Sequence, residues 1–213
     1  MRSKAVLFDF DGTLADTAAD LSRALNRLRE AEGLPPLPIE RLRPHASAGA
    51  RGLIGAGLGV APDQPAFVPL RDGFLRHYES DICVDTRLFP GVEALLSGIE
   101  ARGLRWGIVT NKSTRLTRLI VRALGLETRA ACVVCGDSTP HLKPHPASLL
   151  LAAQQLALAP AECVYLGDDL RDVQAARSAG MSCLAVAWGY GEDYGAWQAD
   201  GILKQPAELL ARL

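Results

Sequence analysis

The chain has 213 residues, of which 48% are hydrophobic and 22% charged, and its formal net charge is −1 at pH 7. This length allows one domain with a modest insertion and a sizeable core, whereas the balanced charge gives no electrostatic case for binding nucleic acid or a membrane. No apolar run approaches membrane-spanning length, and residues 1–4 leave no room for a signal peptide, so we expect a cytoplasmic protein.

The first predicted element is a buried strand over residues 4–10. Its apolar run Ala5-Val6-Leu7-Phe8 leads directly into Asp9-Phe10-Asp11-Gly12-Thr13. Burying a carboxylate is costly unless it is paired or bound to a cation. Asp11-Gly12 is also a common turn dipeptide, but Asp9 continues an apolar strand. The pattern therefore favours a reaction centre over a simple turn.

Residues from about 17 to 82 contain helical patterns and no good strand. The candidate helices are 18–32, 51–58 and 67–78, with prolines between them. We interpret the segment 16–83 as an all-helical cap inserted into a core formed by 1–15 and 84–213. Gly55, Gly57 and Gly59 follow no strand, so close helix packing or a loop is favoured over a dinucleotide-binding loop.

From about residue 90 onward, strand and helix patterns alternate. Strands are predicted over 106–110, 131–135, 163–167 and 183–187, and helices over 113–124, 146–158 and 170–179. This alternation predicts an α/β fold with a mostly parallel sheet and helices on both of its faces. Cys132 and Cys135 form a C-x-x-C pattern within a strand, where positions i and i+3 face opposite ways, so buried free thiols are favoured over a metal or redox site.

Polar side chains follow the strands of this sheet, and the carboxyl ends of parallel strands are where ligands bind. They are Asp9, Asp11, Thr13, Thr110, Asn111, Lys143, Asp168, Asp169 and Asp172. Converging aspartates need a cation, and oxygen ligands suit Mg²⁺. Hydroxyl, amide and ammonium groups suit a phosphate. The set predicts phosphoryl transfer through an aspartyl-phosphate.

Each of these residues also has a structural interpretation. Thr110-Asn111 is typical of a strand-end turn, and a lone lysine such as Lys143 is usually solvated. Asp168 and Asp169 could cap the following helix. The order of the set, with each member at the end of a successive strand, favours a functional site.

The chain resembles the haloacid dehalogenase superfamily of phosphatases. The motifs that carry the resemblance are Asp9-Phe10-Asp11-Gly12-Thr13, Thr110-Asn111, Lys143 and Gly167-Asp168-Asp169-Leu170-Arg171-Asp172. The resemblance implies a Rossmann-like core with a cap placed between the first and second motifs. The chain is most similar to the phosphoglycolate phosphatase-like group, and also to a branch that acts on N-acetylmuramic acid 6-phosphate.

The resemblance implies a role for most of these residues. Asp9 would be the nucleophile and Asp11 the acid/base. Mg²⁺ would be held by the Asp9 carboxylate, the Asp11 main-chain carbonyl and Asp168. The groups that grip the phosphoryl oxygens would be Thr110, Asn111 and Lys143. Asp172 would act through water or orient Lys143, and the role of Asp169 stays open.

Arg51 in the cap is a candidate for binding a substrate carboxylate, because a guanidinium pairs bidentately with that group. Both candidate substrates carry a carboxylate, so this residue does not separate them. A surface arginine on a cap helix is an equal alternative.

We therefore expect a Mg²⁺-dependent phosphatase that hydrolyses a small phosphorylated metabolite, as a monomer or homodimer. A phosphosugar mutase and a non-catalytic binding protein on the same scaffold are the alternatives. A dehalogenase is disfavoured, because it would need neither Mg²⁺ nor an acid/base at Asp11. The sequence does not identify the physiological ester, because the cap would select it.

Overall fold

The computed structural model describes residues 3–213, and its centre is a six-stranded parallel sheet with the order β5-β4-β1-β6-β7-β8. These strands are β1 (Ala5–Phe8), β4 (Arg105–Val109), β5 (Cys132–Val134), β6 (Cys163–Gly167), β7 (Ser182–Val186) and β8 (Gly201–Leu203). Two further strands, β2 (Ala15–Asp16) and β3 (Arg87–Leu88), pair antiparallel with each other. The predicted α/β class is confirmed.

Helices cover both faces of the sheet. The helices are α1 (Ala18–Ala31), α2 (Ile39–Leu42), α3 (Gly49–Leu58), α4 (Phe67–Ser80), α5 (Val92–Ala101), α6 (Thr114–Ala123), α7 (Ala147–Gln155), α8 (Leu170–Ala179) and α9 (Ala207–Leu210). Val6 and Phe8 of β1 pack in one apolar cluster with residues of α5 and α6. Ala5 and Leu7 pack in a second cluster with α7 and α8, as expected for side chains that alternate along a strand.

The long elements predicted from the sequence are confirmed, and none of their ends differs from the prediction by more than three residues. The prediction did not name the short strands β2, β3 and β8, nor α2, α5 and α9. Strands of two or three residues carry too few side chains for an alternating pattern to be read. Helix α5 has a buried stripe of Val92, Leu95, Leu96 and Ile99, which is a readable helical signal that the prediction missed.

Helices α1 to α4 occupy the segment that was predicted as the cap. Gly57 lies in α3, where an added Cβ would come within 2.5 Å of Leu25 Cδ2 on α1. The interpretation of this glycine as a close-packing position is therefore confirmed. The boundaries of the cap at residues 16 and 83 remain a prediction.

The chain enters and leaves this helical segment at neighbouring positions, because Asp16 of β2 pairs with Arg87 of β3. The buried carboxylate of Asp20 strengthens the junction. It accepts hydrogen bonds from the backbone N–H of Asp85 at 3.0 Å, from the N–H of Thr86 at 2.9 Å and from the Thr86 hydroxyl at 2.6 Å. These contacts connect the first turn of α1 to the strand that returns to the sheet.

All five cysteines are free thiols, as predicted. Cys132 and Cys135 are buried, and burial raises the pKa of both thiols above the ordinary value. Among the described helices, none is long and apolar enough to cross a membrane.

Candidate active site

The two aspartates that follow β1 lie at the carboxyl edge of the sheet. The Asp9 N–H donates to the Leu166 carbonyl of β6 at 2.8 Å, which extends the pairing of β1 with β6 by one residue. Gly12 then adopts a φ of +85°, where a side chain is strongly disfavoured. A Cβ at Gly12 would also collide with the Asp168 carboxylate, so this glycine permits the close approach of the two chain segments.

Lys143 is the cation at the centre of the site. Its ammonium lies 2.9 Å from Asp9 Oδ1 and 2.8 Å from Asp172 Oδ1, and it donates to the Tyr165 hydroxyl at 2.8 Å. Burial alone would lower the pKa of Lys143, but Asp172 and Asp9 raise it above the ordinary value. The lysine is therefore a buried, charged group and not a solvated loop residue.

The Asp168 carboxylate is fully buried and is held on both of its oxygens. Thr13 Oγ1 donates to Oδ1 at 3.0 Å, and the Tyr190 N–H donates to Oδ2 at 3.0 Å. Ser47, which lies in the short 3-10 helix before α3, donates to Oδ2 at 2.7 Å. A residue of the helical segment thus contacts a carboxylate at the edge of the sheet.

Asp9, Asp168 and Asp172 form a cluster in which one oxygen of each carboxylate lies within 4.8 Å of the others. Burial, partly offset by Lys143, raises the pKa of Asp9 to about 7. Burial and the charges of Asp9 and Asp172 raise the pKa of Asp168 to about 8. The mutual repulsion of these carboxylates marks them as the residues positioned to hold a cation. The Asp11 side chain is not a member of this cluster.

Asn111 and Thr110, which follow β4, make contacts that the sequence did not indicate. The Asn111 amide donates to the Lys143 carbonyl at 3.0 Å and accepts from the Lys143 N–H at 2.8 Å. The Thr110 hydroxyl accepts from the Lys112 N–H at 3.2 Å. In this structure the Asn111 side chain therefore fixes the backbone of Lys143, and its predicted contact with a phosphoryl group stays a prediction.

Asp169, whose role the sequence left open, caps helix α8. Its side chain accepts from the Arg171 N–H at 2.8 Å, and the N–H of Asp169 donates to Asp172 Oδ2 at 3.1 Å. Burial would raise the pKa of Asp169, but the paired Arg171 guanidinium lowers it below the ordinary value. The same guanidinium donates to the Ser47 carbonyl at 3.1 Å, so Asp169 also supports a contact with the helical segment.

A cavity of about 530 Å³ opens above these groups. Its floor includes Asp9, Asp11, Thr110 and Lys143. Its other walls come largely from the helical segment, and the residues there are Leu21, Ser47, Arg51, Arg71, Phe74, Leu75 and Tyr78. Leu116 of α6 and Leu142, in the loop before Lys143, also line the cavity. All seven residues predicted for catalysis, substrate or metal therefore lie at one site, where Arg51 is among the residues of the helical segment that line the cavity.

Sequence reasoning missed several polar residues of this site. Tyr165 is fully buried in β6, and its hydroxyl touches both Lys143 and Asp172. A phenol within an otherwise apolar strand was the available signal, because a buried hydroxyl needs a partner. Ser47 gave no such signal, since its partner Asp168 is 121 positions away along the chain.

The fold and the site together define a class of hydrolase: a parallel-sheet core that presents paired aspartates, a lysine and a carboxylate cluster to a cavity lined on its other side by helices of the segment between β2 and β3. Residues 3–180 match the family model described as haloacid dehalogenase-like hydrolase. The chain belongs to this family, as its sequence motifs predicted.

Three relatives show the extent of the similarity. The chain is 44% identical to N-acetylmuramic acid 6-phosphate phosphatase of Pseudomonas aeruginosa, over 99% of this chain and 94% of the relative. It is 42% identical to phosphoglycolate phosphatase of Xanthomonas campestris, over 97% and 94%. A crystal structure of a predicted phosphoglycolate phosphatase from Haemophilus somnus superposes with a TM-score of 0.88 at 26% identity, covering 100% of this chain and 98% of that one. These names agree with the predicted phosphatase.

Proposed function

We propose that this protein is a Mg²⁺-dependent phosphatase that hydrolyses a small organic phosphomonoester through a phosphorylated Asp9. The observation that carries the proposal is the placement of the Asp9 carboxylate, 2.9 Å from the Lys143 ammonium, on the floor of the cavity. A carboxylate beside a fixed cation is suited to attack the phosphorus of an ester whose oxygens that cation also attracts.

The residues present fit a Mg²⁺ ion. Asp9, Asp168 and Asp172 bring three buried carboxylates against the ammonium of Lys143. The pKa values of Asp9 and Asp168 are raised mainly by burial, and the neighbouring carboxylates raise them further. Hard oxygen ligands are those that Mg²⁺ prefers. Asp9 and Asp168 would hold the ion, with the Asp11 main-chain carbonyl as the third predicted ligand. A bound Mg²⁺ supplies positive charge that offsets the charge on the phosphoryl oxygens.

The protein's own residues divide the remaining work. Asp9 would attack phosphorus, and the bond from phosphorus to the ester oxygen would break. Asp11 would donate a proton to that leaving oxygen and then accept one from the water that hydrolyses the phosphorylated Asp9. Lys143 would attract the phosphoryl oxygens, while Asp172 and Asn111 keep its ammonium and its backbone in place.

Two candidate substrates follow from the relatives: 2-phosphoglycolate and N-acetylmuramic acid 6-phosphate. The dimensions of the cavity favour the larger one. About 530 Å³ lies within the range of sites that enclose ligands of drug size, whereas a two-carbon ester would leave most of it to water. The apolar side chains of Leu21, Phe74 and Leu75 would contact the methyl groups of the sugar ester, for which phosphoglycolate offers no counterpart.

The experiment is a kinetic panel that compares the two candidate esters and several sugar phosphates by kcat/KM, with Mg²⁺ and with EDTA. We expect Mg²⁺-dependent phosphate release, with the highest kcat/KM for N-acetylmuramic acid 6-phosphate. Asp9→Asn should lower kcat/KM at least about 10⁴-fold, as removal of a nucleophile does. Asp63→Asn, which changes an exposed aspartate in the same way, is the matched control.

The same kinetic panel, repeated with an Arg51 variant, tests the contact between Arg51 and the substrate. If its guanidinium pairs with the substrate carboxylate, Arg51→Met should raise KM for both candidate esters about tenfold and leave 4-nitrophenyl phosphate unaffected. Full activity of Asp9→Asn would refute the mechanism. An unchanged KM in Arg51→Met would refute only the proposed contact between Arg51 and the substrate carboxylate.

A further inference from the structure

Lys112 is a buried lysine that the roles described so far do not use. It follows Thr110 and Asn111 at the end of β4, and its side chain is only 8% exposed. Its ammonium lies 3.0 Å from Asp11 Oδ1 and donates to the Tyr78 hydroxyl at 3.0 Å. The same ammonium lies 4.5 Å from the centre of the Tyr78 ring.

This contact differs from an ordinary surface ion pair. Exposed pairs contribute little, because solvent screens them and their side chains lose freedom, but a buried ammonium must be compensated. Burial alone would lower the pKa of Lys112, and Asp11 with Tyr78 raises it above the ordinary value. The Lys112 ammonium is therefore held by two specific partners, one at the sheet edge and one on helix α4.

The Asp11 carboxylate is held on one side only. Oδ1 is paired with the Lys112 ammonium and also accepts a hydrogen bond from the Thr17 hydroxyl at 2.6 Å. Within residues 3–213 no hydrogen bond to Asp11 Oδ2 is found. Asp11 also lines the cavity. Two donors on Oδ1 thus fix the orientation of the carboxylate and leave Oδ2 for another partner.

Tyr78 connects this arrangement to the helical segment. It is 1% exposed in α4, where its ring stacks on Phe74, and burial raises its pKa to about 12, so the hydroxyl stays protonated. Lys112 belongs to the core side of the cavity, and Tyr78 belongs to the opposite wall. The position of the ammonium therefore depends on α4 being in place.

We propose that Lys112 is a positioning residue: together with Tyr78 it orients the Asp11 carboxyl group, so that in its protonated form the proton on Oδ2 is presented to the leaving oxygen of the ester. The inference rests on the proposed function, because it assigns Lys112 a part in the same reaction. In that step the bond from phosphorus to the ester oxygen breaks and the bond from phosphorus to Asp9 forms. The Asp11 proton passes to the departing alcohol.

The test compares two leaving groups. An alkyl ester needs the proton, whereas 4-nitrophenyl phosphate releases a stable anion without it. Lys112→Met keeps the length of the side chain and removes its charge. We expect kcat/KM for the better of the two alkyl esters named above to fall about 100-fold, and kcat/KM for 4-nitrophenyl phosphate to fall less than about tenfold.

Three further variants keep the result interpretable. Asp11→Asn removes the proton donor itself, so its kcat/KM values for the two esters are the reference for complete loss of the proton transfer. Tyr78→Phe keeps the ring and removes only the hydroxyl, so we expect kcat/KM for the alkyl ester to fall about tenfold and kcat/KM for 4-nitrophenyl phosphate to fall less. If Lys112→Met does not fold, Tyr78→Phe takes its place in the test. Lys204→Met changes an exposed lysine outside the cavity in the same way and should leave both esters unaffected.

The outcomes separate the two proposals. A wild-type protein that hydrolyses neither ester would refute the proposed function, and the positioning role with it. If the wild type hydrolyses both esters, but Lys112→Met and Tyr78→Phe each lower kcat/KM equally for the two esters, only the role of Lys112 would be overturned. A selective loss on the alkyl ester in both variants would support it.

Discussion

The two sides of the cavity are built on different principles. On the sheet side, Asp9, Asp168, Asp172 and Lys143 are all at most 8% exposed and contact one another or neighbouring polar groups at 2.7–3.0 Å. On the helical side, the wall is mainly apolar, and its arginines are not buried.

This difference shows which parts of the molecule tolerate change. A buried network of charges fails when one member is removed, because its partners are left unpaired. An apolar wall changes shape gradually, since each side chain contributes through area and volume. The helical side is therefore suited to select the ester, while the sheet side keeps the chemistry constant. Three predictions test this contrast, beginning with the largest expected effect.

Lys143→Met should damage both stability and activity. It leaves Asp9 and Asp172 buried without their cation, so we expect a loss of about 3–5 kcal/mol in the free energy of unfolding. Phosphatase activity should fall at least about 100-fold. Urea unfolding and phosphate release measure the two effects, with Lys204→Met as the exposed control. A loss of stability no greater than in the control would show that the sheet side is not a coupled network.

The stability of the metal-free protein should fall as the pH rises. Burial raises the pKa of Asp9 to about 7 and that of Asp168 to about 8, whereas both titrate near 3.9 when unfolded. Between about pH 4 and pH 8 the folded chain therefore binds more protons than the unfolded chain, and stability decreases with pH. Mg²⁺ should raise the melting temperature more at pH 8 than at pH 5, because fewer protons compete for the carboxylates.

Melting curves in EDTA and in MgCl₂ at both pH values check this prediction. Asp168→Asn is the informative variant, since it removes one of the two titrating groups and should flatten the pH dependence in EDTA. A melting temperature in EDTA that rises from pH 5 to pH 8, or an equal Mg²⁺ effect at both, would contradict the assignment.

The smallest effects are expected from two glycines of α3. Gly57→Ala would press against Leu25 and should destabilise the protein by about 1–3 kcal/mol. Gly55 has open space around its Cβ position, so Gly55→Ala should stabilise the helix by about 0.5–1 kcal/mol. Thermal unfolding should show a lower melting temperature for Gly57→Ala and a higher one for Gly55→Ala than for the wild type. The kcat/KM of Gly55→Ala for 4-nitrophenyl phosphate should equal that of the wild type. An equal sign for both substitutions would contradict the packing found between α1 and α3.

The sheet and its aspartates were predictable from the sequence because their signals are local. Asp9 is identified by the apolar run before it, and Asp168 by the buried strand that ends at Gly167. The alternation of strands and helices then places both at one edge of the sheet. Lys143 was identified only through its order in the set, since nothing in the neighbouring loop sequence shows that it is buried.

The contacts across the cavity were not predictable in this way. Ser47 and Asp168, or Lys112 and Tyr78, meet only through the packing of helices whose relative positions no local pattern specifies. The contact between the Asn111 side chain and the backbone of Lys143 was missed for a different reason. Its amide satisfies the backbone of Lys143, and an asparagine gives the same sequence signal whether its partner is a ligand or the chain itself.

The pairing of β2 with β3 has a consequence for how this protein could diverge from its relatives. Because the chain leaves and rejoins the core at adjacent positions, insertions, deletions and substitutions in the helices between them leave the register of the six-stranded sheet unchanged. Mutations in this segment can therefore change the wall of the cavity without changing the pairing of the strands in the sheet.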